Sequence, residues 1–467
     1  MTPNAGGFTL LHLGLGSFHR AHQAVYLQQL IDSGDKEWSI AGGNLRADML
    51  DTITALQSQN GHYTLETVTP AGERRYQRIT SIRRVIPYEP ALAGLRELSA
   101  AADTRIISFT VTEAGYYLDA KNKLDLNFSD LANDIDRARQ GTPGQTIYGA
   151  LTAILRARMA ANAGKVTLLN CDNLRHNGER FRGGFLEFIE LVGDRQLLDW
   201  VVSNTTSPNA MVDRITPRPA PDVRERVKAA TGFDDAAAVM AESFIQWVIE
   251  DNFCNGRPAW EGVGVQMVDS VAPFEEAKIR ILNASHSCIA WAGTLVGYQF
   301  IHEGTHDAVI RQFAHDYVTD DVIPCLTPSP IDLAGYRDVV LERFGNPAIR
   351  DTNQRVAMDG FSKIPGFIAP TIRERLANNQ SIASVAMLPA LFLAFLKRWH
   401  LGEIPYAYQD QGMDEAIAHA ICDACDPVAA FCSDTVLWGP QAGDAKLIAA
   451  LRIALSRVER FLKEHGQ

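Results

Sequence analysis

Short apolar runs alternate with helical patterns along the first part of the chain. The runs are rich in β-branched residues, which predicts buried strands, and the intervening apolar positions recur at helical spacing. The predicted strands are Phe8 to Leu13, Trp38 to Gly42, Arg105 to Val111 and Lys165 to Asn170. Alternating strands and helices are typical of βα units around a mostly parallel sheet. We therefore predict a doubly wound α/β domain over residues 1–272.

Two regions depart from this pattern. Residues 63–86 contain β-type runs around a Pro-Ala-Gly turn, which predicts an antiparallel hairpin inserted in the first domain. From Pro273 onward the apolar positions keep a helical spacing, as in residues 275–298, 306–318 and 447–463. We therefore predict a second, mainly α-helical domain over residues 273–467.

Composition and charge narrow the class of protein. The 467 residues include 44 Lys plus Arg and 55 Asp plus Glu, a net charge of −11, with basic residues scattered among acidic ones. Nucleic acid and membrane surfaces are disfavoured as partners because both require a basic patch. The longest apolar stretch, residues 385–396, is shorter than the roughly 20 residues of a membrane span. Seven cysteines and an N-terminus without signal-peptide features lead us to expect a cytoplasmic protein with reduced thiols.

A glycine-rich turn directly follows the first predicted strand, and a helical pattern begins at Gln23. In this context the first glycine permits a tight turn, and the second lets the backbone approach a pyrophosphate at the positive end of a helix. A turn without a ligand is the alternative, because a histidine occupies the place of the usual third glycine. The candidate cofactor-binding residues are Gly14, Gly16, Ser17, Phe18, His19 and Arg20.

The end of the second predicted strand bears on the choice of cofactor. Asp48 is placed to accept a hydrogen bond from a ribose hydroxyl, which favours NAD. Arg46 would accommodate a 2′-phosphate, so NADP stays open. We expect a Rossmann-type domain that binds NAD.

Four polar side chains fall on roughly one face of the first helix predicted in the second domain. Taken from Lys278 at about 100° per residue, Glu275 lies near ~60°, His286 near ~80° and Asn283 near ~140°. Oxidation of an alcohol by hydride transfer needs a base for the hydroxyl proton and donors for the developing alkoxide. Lys278 is the candidate base, and Asn283 and His286 are candidate donors. A solvated face with an i,i+3 pair of Lys278 and Glu275 is the alternative.

The chain resembles the polyol-specific long-chain dehydrogenases, the mannitol dehydrogenase family. The resemblance rests on Gly-Leu-Gly-Ser-Phe-His-Arg-Ala-His-Gln from Gly14, in which a histidine at the third glycine position is normal for the family. It extends over essentially the whole chain. The other specific segments are Leu169-Asn-Cys-Asp-Asn173, Met211-Val-Asp-Arg-Ile-Thr-Pro217 and Ile281-Leu-Asn-Ala-Ser-His286.

The resemblance implies roles around the reactive oxygen. Lys278 matches the general base, and Asn173 and Asn283 match two asparagines that hold the alkoxide. His286 would bond the reactive oxygen. Glu275 matches an acid that gates the escape of the proton.

The resemblance also implies residues for the rest of the polyol. Asp213 matches an acid beside the substrate, and Arg355 and Lys363 match groups that bind distal hydroxyls. A polar surface loop is the alternative interpretation of residues 351–363. No metal is expected, because the lysine takes the place that zinc has in other alcohol dehydrogenases.

Two segments have the residue types of zinc sites. His302-Glu-Gly-Thr-His306 matches the H-E-x-x-H pattern, but Gly304 weakens a helix and no third ligand motif follows. His419 with three nearby cysteines lacks a turn and a second pair, and most of that stretch has a helical pattern. We expect neither segment to bind metal.

The resemblance implies NAD-dependent oxidation of a secondary alcohol of an acyclic polyol to a ketose. The sequences of residues 170–181 and 281–293 favour the oxidation of D-arabinitol to D-xylulose. The oxidation of D-mannitol to D-fructose and a fructuronate-type reductase are the alternatives. A non-catalytic module that binds NAD(H) is the alternative to an enzyme. Such a module would have no use for Lys278 together with Asn173, Asn283 and His286. The expected partner is a small polyol or ketose, and we expect a monomer.

Overall fold

The computed structural model describes residues 7–119, 122–217 and 221–466. Its backbone contacts divide the chain into two compact units. The N-terminal unit comprises Met1–Thr69 and Glu73–Ala272, and the C-terminal unit comprises Pro70–Gly72 and Pro273–Gln467.

A parallel six-stranded sheet forms the centre of the N-terminal unit. The strands of the unit are β1 Phe8–Leu13, β2 Trp38–Gly43, β3 Tyr63–Val68, β4 Arg74–Ile79, β5 Ile82–Ile86, β6 Thr104–Phe109, β7 Val166–Asn170, β8 Thr205–Thr206, β9 Ala210–Asp213, β10 Val239–Glu242, β11 Gln246–Glu250 and β12 Gln266–Val268. The central sheet has the order β5-β2-β1-β6-β7-β8, and every neighbouring pair in it is parallel. This is a doubly wound, Rossmann-type sheet, which confirms the predicted fold class.

Both faces of the central sheet are covered. Successive side chains of a strand point to opposite faces, so Leu11 and Leu13 join one buried apolar cluster and Leu10 joins another. Burial on both faces explains why the strands appear as continuous apolar runs. The α-helices of the unit are α1 Ser17–Ala21, α2 Gln23–Asp32, α3 Leu50–Ser58, α4 Ala93–Ser99, α5 Ser129–Arg139, α6 Ile147–Ala160, α7 Asn177–Val192, α8 Arg195–Asn204 and α9 Pro221–Thr231.

The predicted hairpin is present as the antiparallel pair β3 and β4, and β10 pairs parallel with β3. The last run of that segment, β5, is instead the edge strand of the central sheet. The sequence prediction missed a second three-stranded sheet, β12-β11-β9. Its strands are three to five residues long, too short for their periodicity to be read. The predicted strand Arg105 to Val111 was placed too far along the chain, since β6 ends at Phe109.

The C-terminal unit is helical, as predicted. Its α-helices are α10 Ala272–Ala277, α11 Ala284–Leu295, α12 Ile301–His306, α13 Ala308–Asp316, α14 Ile323–Leu326, α15 Leu333–Phe344, α16 Asn353–Ala357, α17 Gly360–Lys363, α18 Ala369–Ala377, α19 Met387–His400, α20 Glu415–Asp423, α21 Pro427–Ser433, α22 Thr435–Trp438 and α23 Ala445–Glu464. Helices α11 and α19 pack together in its apolar core. No helix within the described ranges is long and apolar enough to cross a membrane.

The helix predicted over residues 275–298 is not a continuous α-helix. Between α10 and α11 the backbone forms a π-helical turn, Lys278–Asn283, in which the N–H of Ala284 donates to the carbonyl of Ile279. Two further π-helical turns, Tyr317–Val322 and Ile364–Ile368, both contact the first. Hydrogen bonds between residues five apart widen such a turn, and π-helical turns are frequent at functional sites.

Candidate functional site

The glycine turn after β1 depends on a residue without a side chain. Gly14 has φ +106°, and a Cβ atom there would lie 2.4 Å from the carbonyl oxygen of Thr110. Its N–H donates to the carbonyl of Gly43 at 2.9 Å, which ties the turn to the end of β2. Only glycine fits this position.

Gly16 has a different environment. Its φ of −75° suits any residue, and the nearest atom to a Cβ placed there would be the Gly14 oxygen at 4.0 Å. The packing of the described protein atoms therefore does not require glycine here. The N–H of Gly16 itself donates to the Gly14 carbonyl at 2.7 Å, so it is the open space beside this backbone, at the start of a helix, that close approach of a phosphate would need. Ser17 and Phe18, the next residues, are half-buried.

His19 and Arg20 lie inside the N-terminal unit. The ring of His19 stacks on that of His12 with 3.4 Å between centroids, and His12 Nδ1 lies 2.7 Å from Ser108 Oγ. Burial lowers the pKa of His12 to about 3 and lowers that of His19 well below its usual range, so both rings are neutral. The Arg20 guanidinium donates to the carbonyl of Ala237. Cofactor binding by these two residues stays a prediction.

The two residues that bear on the choice between NAD and NADP are both exposed. Arg46 Nη2 donates to the hydroxyl of Tyr117 at 3.1 Å, and Asp48 lies in the turn before α3. The sequence prediction missed Asn44, whose Oδ1 accepts the N–H of Leu15 at 2.8 Å and fastens the glycine turn. Its position directly after β2 was the available signal.

The loop that carries Asn173 is held by its neighbour, Asp172. The buried Asp172 carboxylate accepts the N–H groups of Val111 at 3.0 Å and Thr112 at 2.9 Å, and the hydroxyl of Tyr116. Burial raises the pKa of Asp172, although these hydrogen bonds oppose the shift. The carboxylate thereby joins the carboxyl ends of β6 and β7 and leaves Asn173 exposed at the end of the sheet. The sequence prediction missed Asp172.

Asp213, the last residue of β9, is buried. The guanidinium of the next residue, Arg214, donates twice to the Glu242 carbonyl, at 3.0 and 2.8 Å, and once to the Ala21 carbonyl at 2.6 Å. The backbone next to the Asp213 carboxylate is therefore fixed.

In the C-terminal unit, Glu275 and Lys278 are both buried, at 5% and 7% exposure. Lys278 begins the π-helical turn and Asn283 ends it. Because this turn is π-helical, the angle expected between these two side chains in an α-helix does not describe it. The helix places the candidate base and a candidate donor on neighbouring turns.

His286 lies against an aromatic ring and a carboxylate. Its ring stacks on Phe344 with 4.3 Å between centroids, and its Nε2 lies 3.2 Å from Asp351 Oδ2. Asp351 also binds the Arg355 guanidinium at 2.7 and 2.6 Å. Burial lowers the pKa of His286; burial alone would raise the pKa of Asp351, but His286 and Arg355 hold it well below its usual range. The sequence prediction named His286 and Arg355 and missed Asp351.

Lys363 ends α17, and its Nζ donates to the carbonyl of Val356 at 2.5 Å. Burial lowers its pKa to about 8, while the nearby carboxylate of Asp359 opposes the shift. Arg355 and Lys363 both lie close enough to His286 to lower its pKa. The structure thus places one predicted catalytic side chain, His286, and two predicted substrate-binding side chains, Arg355 and Lys363, in one charged neighbourhood.

Neither zinc-like segment forms a metal cluster. Among the described residues, no group of three or more His, Cys, Asp or Glu side chains could hold a metal ion. Residues 302–306 are helical despite Gly304, contrary to our expectation, because Glu303 accepts the N–H groups of Gln299 and Phe300 at the helix start. His419 Nδ1 lies 2.7 Å from Nδ1 of His400.

The protein thus combines a Rossmann-type unit with a helical unit that carries a buried lysine. Residues 8–262 match the mannitol dehydrogenase Rossmann domain, and residues 270–459 match the mannitol dehydrogenase C-terminal domain. The chain therefore belongs to the mannitol dehydrogenase family of polyol oxidoreductases.

Individual relatives agree with this assignment. D-arabinitol 4-dehydrogenase of Ralstonia nicotianae is 59% identical over 97% of each chain, and that of Klebsiella pneumoniae is 56% identical over 97% of this chain and 98% of its own. The solved ternary complex of Pseudomonas fluorescens mannitol 2-dehydrogenase with NAD and D-mannitol is 33% identical, with a TM-score of 0.82 over 99% of this chain and 95% of its own.

Proposed function

We propose that this chain oxidises D-arabinitol to D-xylulose with NAD. The observation that carries the proposal is the identity of 56–59% to two D-arabinitol 4-dehydrogenases over nearly the whole chain. Identity to the mannitol 2-dehydrogenase of known structure is 33%. D-mannitol giving D-fructose is therefore the second candidate.

The N-terminal unit fits a dinucleotide. Gly14 allows the tight turn, and Gly16 leaves open space beside the backbone where a pyrophosphate would bind. The relative solved with NAD at 33% identity supports NAD as the cofactor. NAD, when bound, supplies the acceptor for the hydride that leaves the carbinol carbon.

The proposed chemistry divides between a base and two amides. Lys278, as the neutral amine, accepts the proton of the reacting hydroxyl. The side-chain amides of Asn173 and Asn283 donate to the oxygen as it becomes an alkoxide and then a carbonyl. Glu275, three residues before Lys278, passes the proton onward. The proposal requires that both asparagines reach the same oxygen.

Selection of the polyol falls to other side chains. The proposal gives the distal hydroxyls to Arg355 and Lys363, and a position beside the substrate to Asp213. D-arabinitol and D-mannitol share the configuration at the reacting carbon. The protein therefore distinguishes them by the space available for the extra carbon of mannitol and by the side chains that bind the distal hydroxyls. Such differences are worth roughly 1–3 kcal/mol.

The proposal is tested by turnover of the purified protein with NAD or NADP and a panel of pentitols and hexitols, followed by NADH absorbance. We expect the highest kcat/KM with D-arabinitol and NAD, and D-xylulose as the product. A higher kcat/KM for D-mannitol would overturn the substrate. Absence of turnover with every polyol would overturn the enzymatic proposal in favour of an NAD(H)-holding module. Light scattering of the same sample tests the expected monomer.

A further inference from the structure

The carboxylate of Asp351 contacts two residues for which the family resemblance implies different tasks. Its Oδ1 accepts from Arg355 Nε at 2.7 Å, and its Oδ2 accepts from Nη2 at 2.6 Å. The same Oδ2 lies 3.2 Å from Nε2 of His286. One carboxylate therefore contacts a predicted partner of the distal hydroxyls and the histidine expected near the reacting carbon.

Asp351 is itself held in place. Its carbonyl accepts the N–H of Ile301 at 2.9 Å, and two residues later the N–H of Asn353 donates to the Gln299 carbonyl at 2.9 Å. The Asp351 side chain is only 10% exposed. A carboxylate fixed at the backbone and shielded from water is suited to orient the groups around it.

The position of this carboxylate favours one of the two nitrogens of His286 as the one that carries the proton. Stacking on Phe344, with 12° between the planes, restricts the tilt of the ring, and Nε2 lies within ion-pair distance of the Asp351 carboxylate but outside hydrogen-bond geometry. The negative charge of the carboxylate repels a lone pair on the nearer ring nitrogen and attracts an N–H there, so it favours the proton on Nε2. Burial keeps the ring neutral by lowering the pKa of His286. Nδ1 is then left with a lone pair.

A lone pair at Nδ1 suits a hydroxyl that keeps its proton, because an oxygen that becomes an alkoxide would be repelled. We propose that Asp351 is a positioning residue that holds His286 as the Nε2–H tautomer, so that Nδ1 accepts a hydrogen bond from the hydroxyl beside the reacting alcohol, while the same carboxylate holds Arg355 for the distal hydroxyls. This differs from the bond to the reactive oxygen that the family resemblance implies. The substrate contacts rest on the proposed function, whereas the tautomer of His286 does not.

The tautomer is measured directly on the full-length protein. Long-range ¹⁵N–¹H correlation of protein labelled at its histidines, assigned with His286→Gln, is expected to show the proton on Nε2 at neutral pH. Asp351→Asn is expected to produce a mixture of tautomers. A proton on Nδ1 in the unchanged protein would overturn the proposal, even if the variant failed to fold and whether or not any polyol is turned over.

Kinetics test the consequence for substrate. Asp351→Asn is expected to lower kcat/KM for the preferred polyol by about 10- to 100-fold, the range found for partners that orient metal-binding histidines. His286→Gln is expected to lower it about tenfold for a polyol, and by a clearly smaller factor for an analogue that lacks the hydroxyl beside the reacting alcohol. The matched control is Asp338→Asn, an exposed acid paired with Arg337 on α15.

The two variants combined should cost less than the product of their separate effects, since they act through one contact. Multiplicative effects, or an equal loss for the analogue, would overturn the assignment of His286 to the neighbouring hydroxyl. No turnover of any polyol by the unchanged protein would instead contradict the proposed function, and the tautomer measurement would still decide the role of Asp351.

Discussion

The two candidate regions, the glycine turn of the N-terminal unit and the charged region of the C-terminal unit, differ in whether backbone or side chains form them. The glycine turn of the N-terminal unit is made of backbone, with Gly14 at a positive φ and its N–H bonded to Gly43. The region of the C-terminal unit around Lys278 and Asp351 is made of charged side chains on and beside a π-helical turn, of which Glu275 and Lys278 are buried. Steric strain would disrupt the first, whereas altered charge would disrupt the second. Substitutions in the turn should therefore change stability and cofactor affinity together, and substitutions of the charged residues should change turnover in a folded protein.

The largest effect is expected for Lys278→Ala. Loss of the proposed base should lower kcat by about 100- to 10,000-fold while NADH affinity, measured by fluorescence titration, stays nearly unchanged. The matched control is Lys446→Ala, which removes an exposed lysine whose Nζ donates to Asn379 in the same unit. Near-normal oxidation by the Lys278 variant would show that another group takes the proton.

Gly14→Ala tests the backbone side of the comparison. The new Cβ would meet the Thr110 oxygen at 2.4 Å, on top of the strain of φ +106°, so the free energy of unfolding should fall by about 3 kcal/mol and NAD affinity should fall with it. Gly34→Ala is the matched control, because Gly34 has φ +107° and no atom within 4 Å of a Cβ. It should cost about 1 kcal/mol and leave NAD affinity unchanged. Equal losses in urea unfolding would mean that strain alone, without the contact, determines the glycine.

Sequence patterns predicted the elements whose signal is local. The strand before Gly14 and the hairpin of β3 and β4 follow from runs of apolar residues and a turn. The π-helical turn at Lys278 was not predictable in this way. The apolar residues within it, Ile279, Ile281 and Leu282, are spaced along the sequence as they would be in an α-helix, so the pattern does not reveal the change in hydrogen bonding.

The two missed acids have a different cause. Asp172 was missed because its partner Val111 lies 61 residues away in the chain. Asp351 was missed because His286 lies in another element, and a single acid among polar residues has no local signature. The sequence therefore identified residues with a chemical pattern of their own, but not the residues that hold them in place.

Acid should weaken the N-terminal unit through His12. Burial lowers its pKa to about 3 in the folded state, against about 6.5 in an unfolded chain, so the unfolded state binds the proton first as the pH falls. Between pH 7 and pH 5 this should remove about 2 kcal/mol of the free energy of unfolding. His12→Asn keeps a polar partner for Ser108 without the titration, and it should show a correspondingly smaller loss in urea unfolding at the two pH values. An unchanged pH dependence in the variant would assign the acid sensitivity to other groups.

Titration of Lys363 should give the smallest effect. It should change polyol binding and the free energy of unfolding in opposite directions as the pH rises. Because burial lowers its pKa to about 8, the ammonium loses its proton between pH 7 and pH 9, and KM for the polyol should rise by about three- to tenfold with little change in kcat. Lys363→Arg stays charged in this range and should keep a flat KM. Stability should move the other way, because above pH 8 the unfolded chain binds a proton that the folded protein does not, and the free energy of unfolding then gains from rising pH. A rise in KM accompanied by a loss of stability would therefore point to alkaline unfolding. A rise in KM with equal or greater stability would show that the lost charge of Lys363 itself lowers the affinity for the polyol.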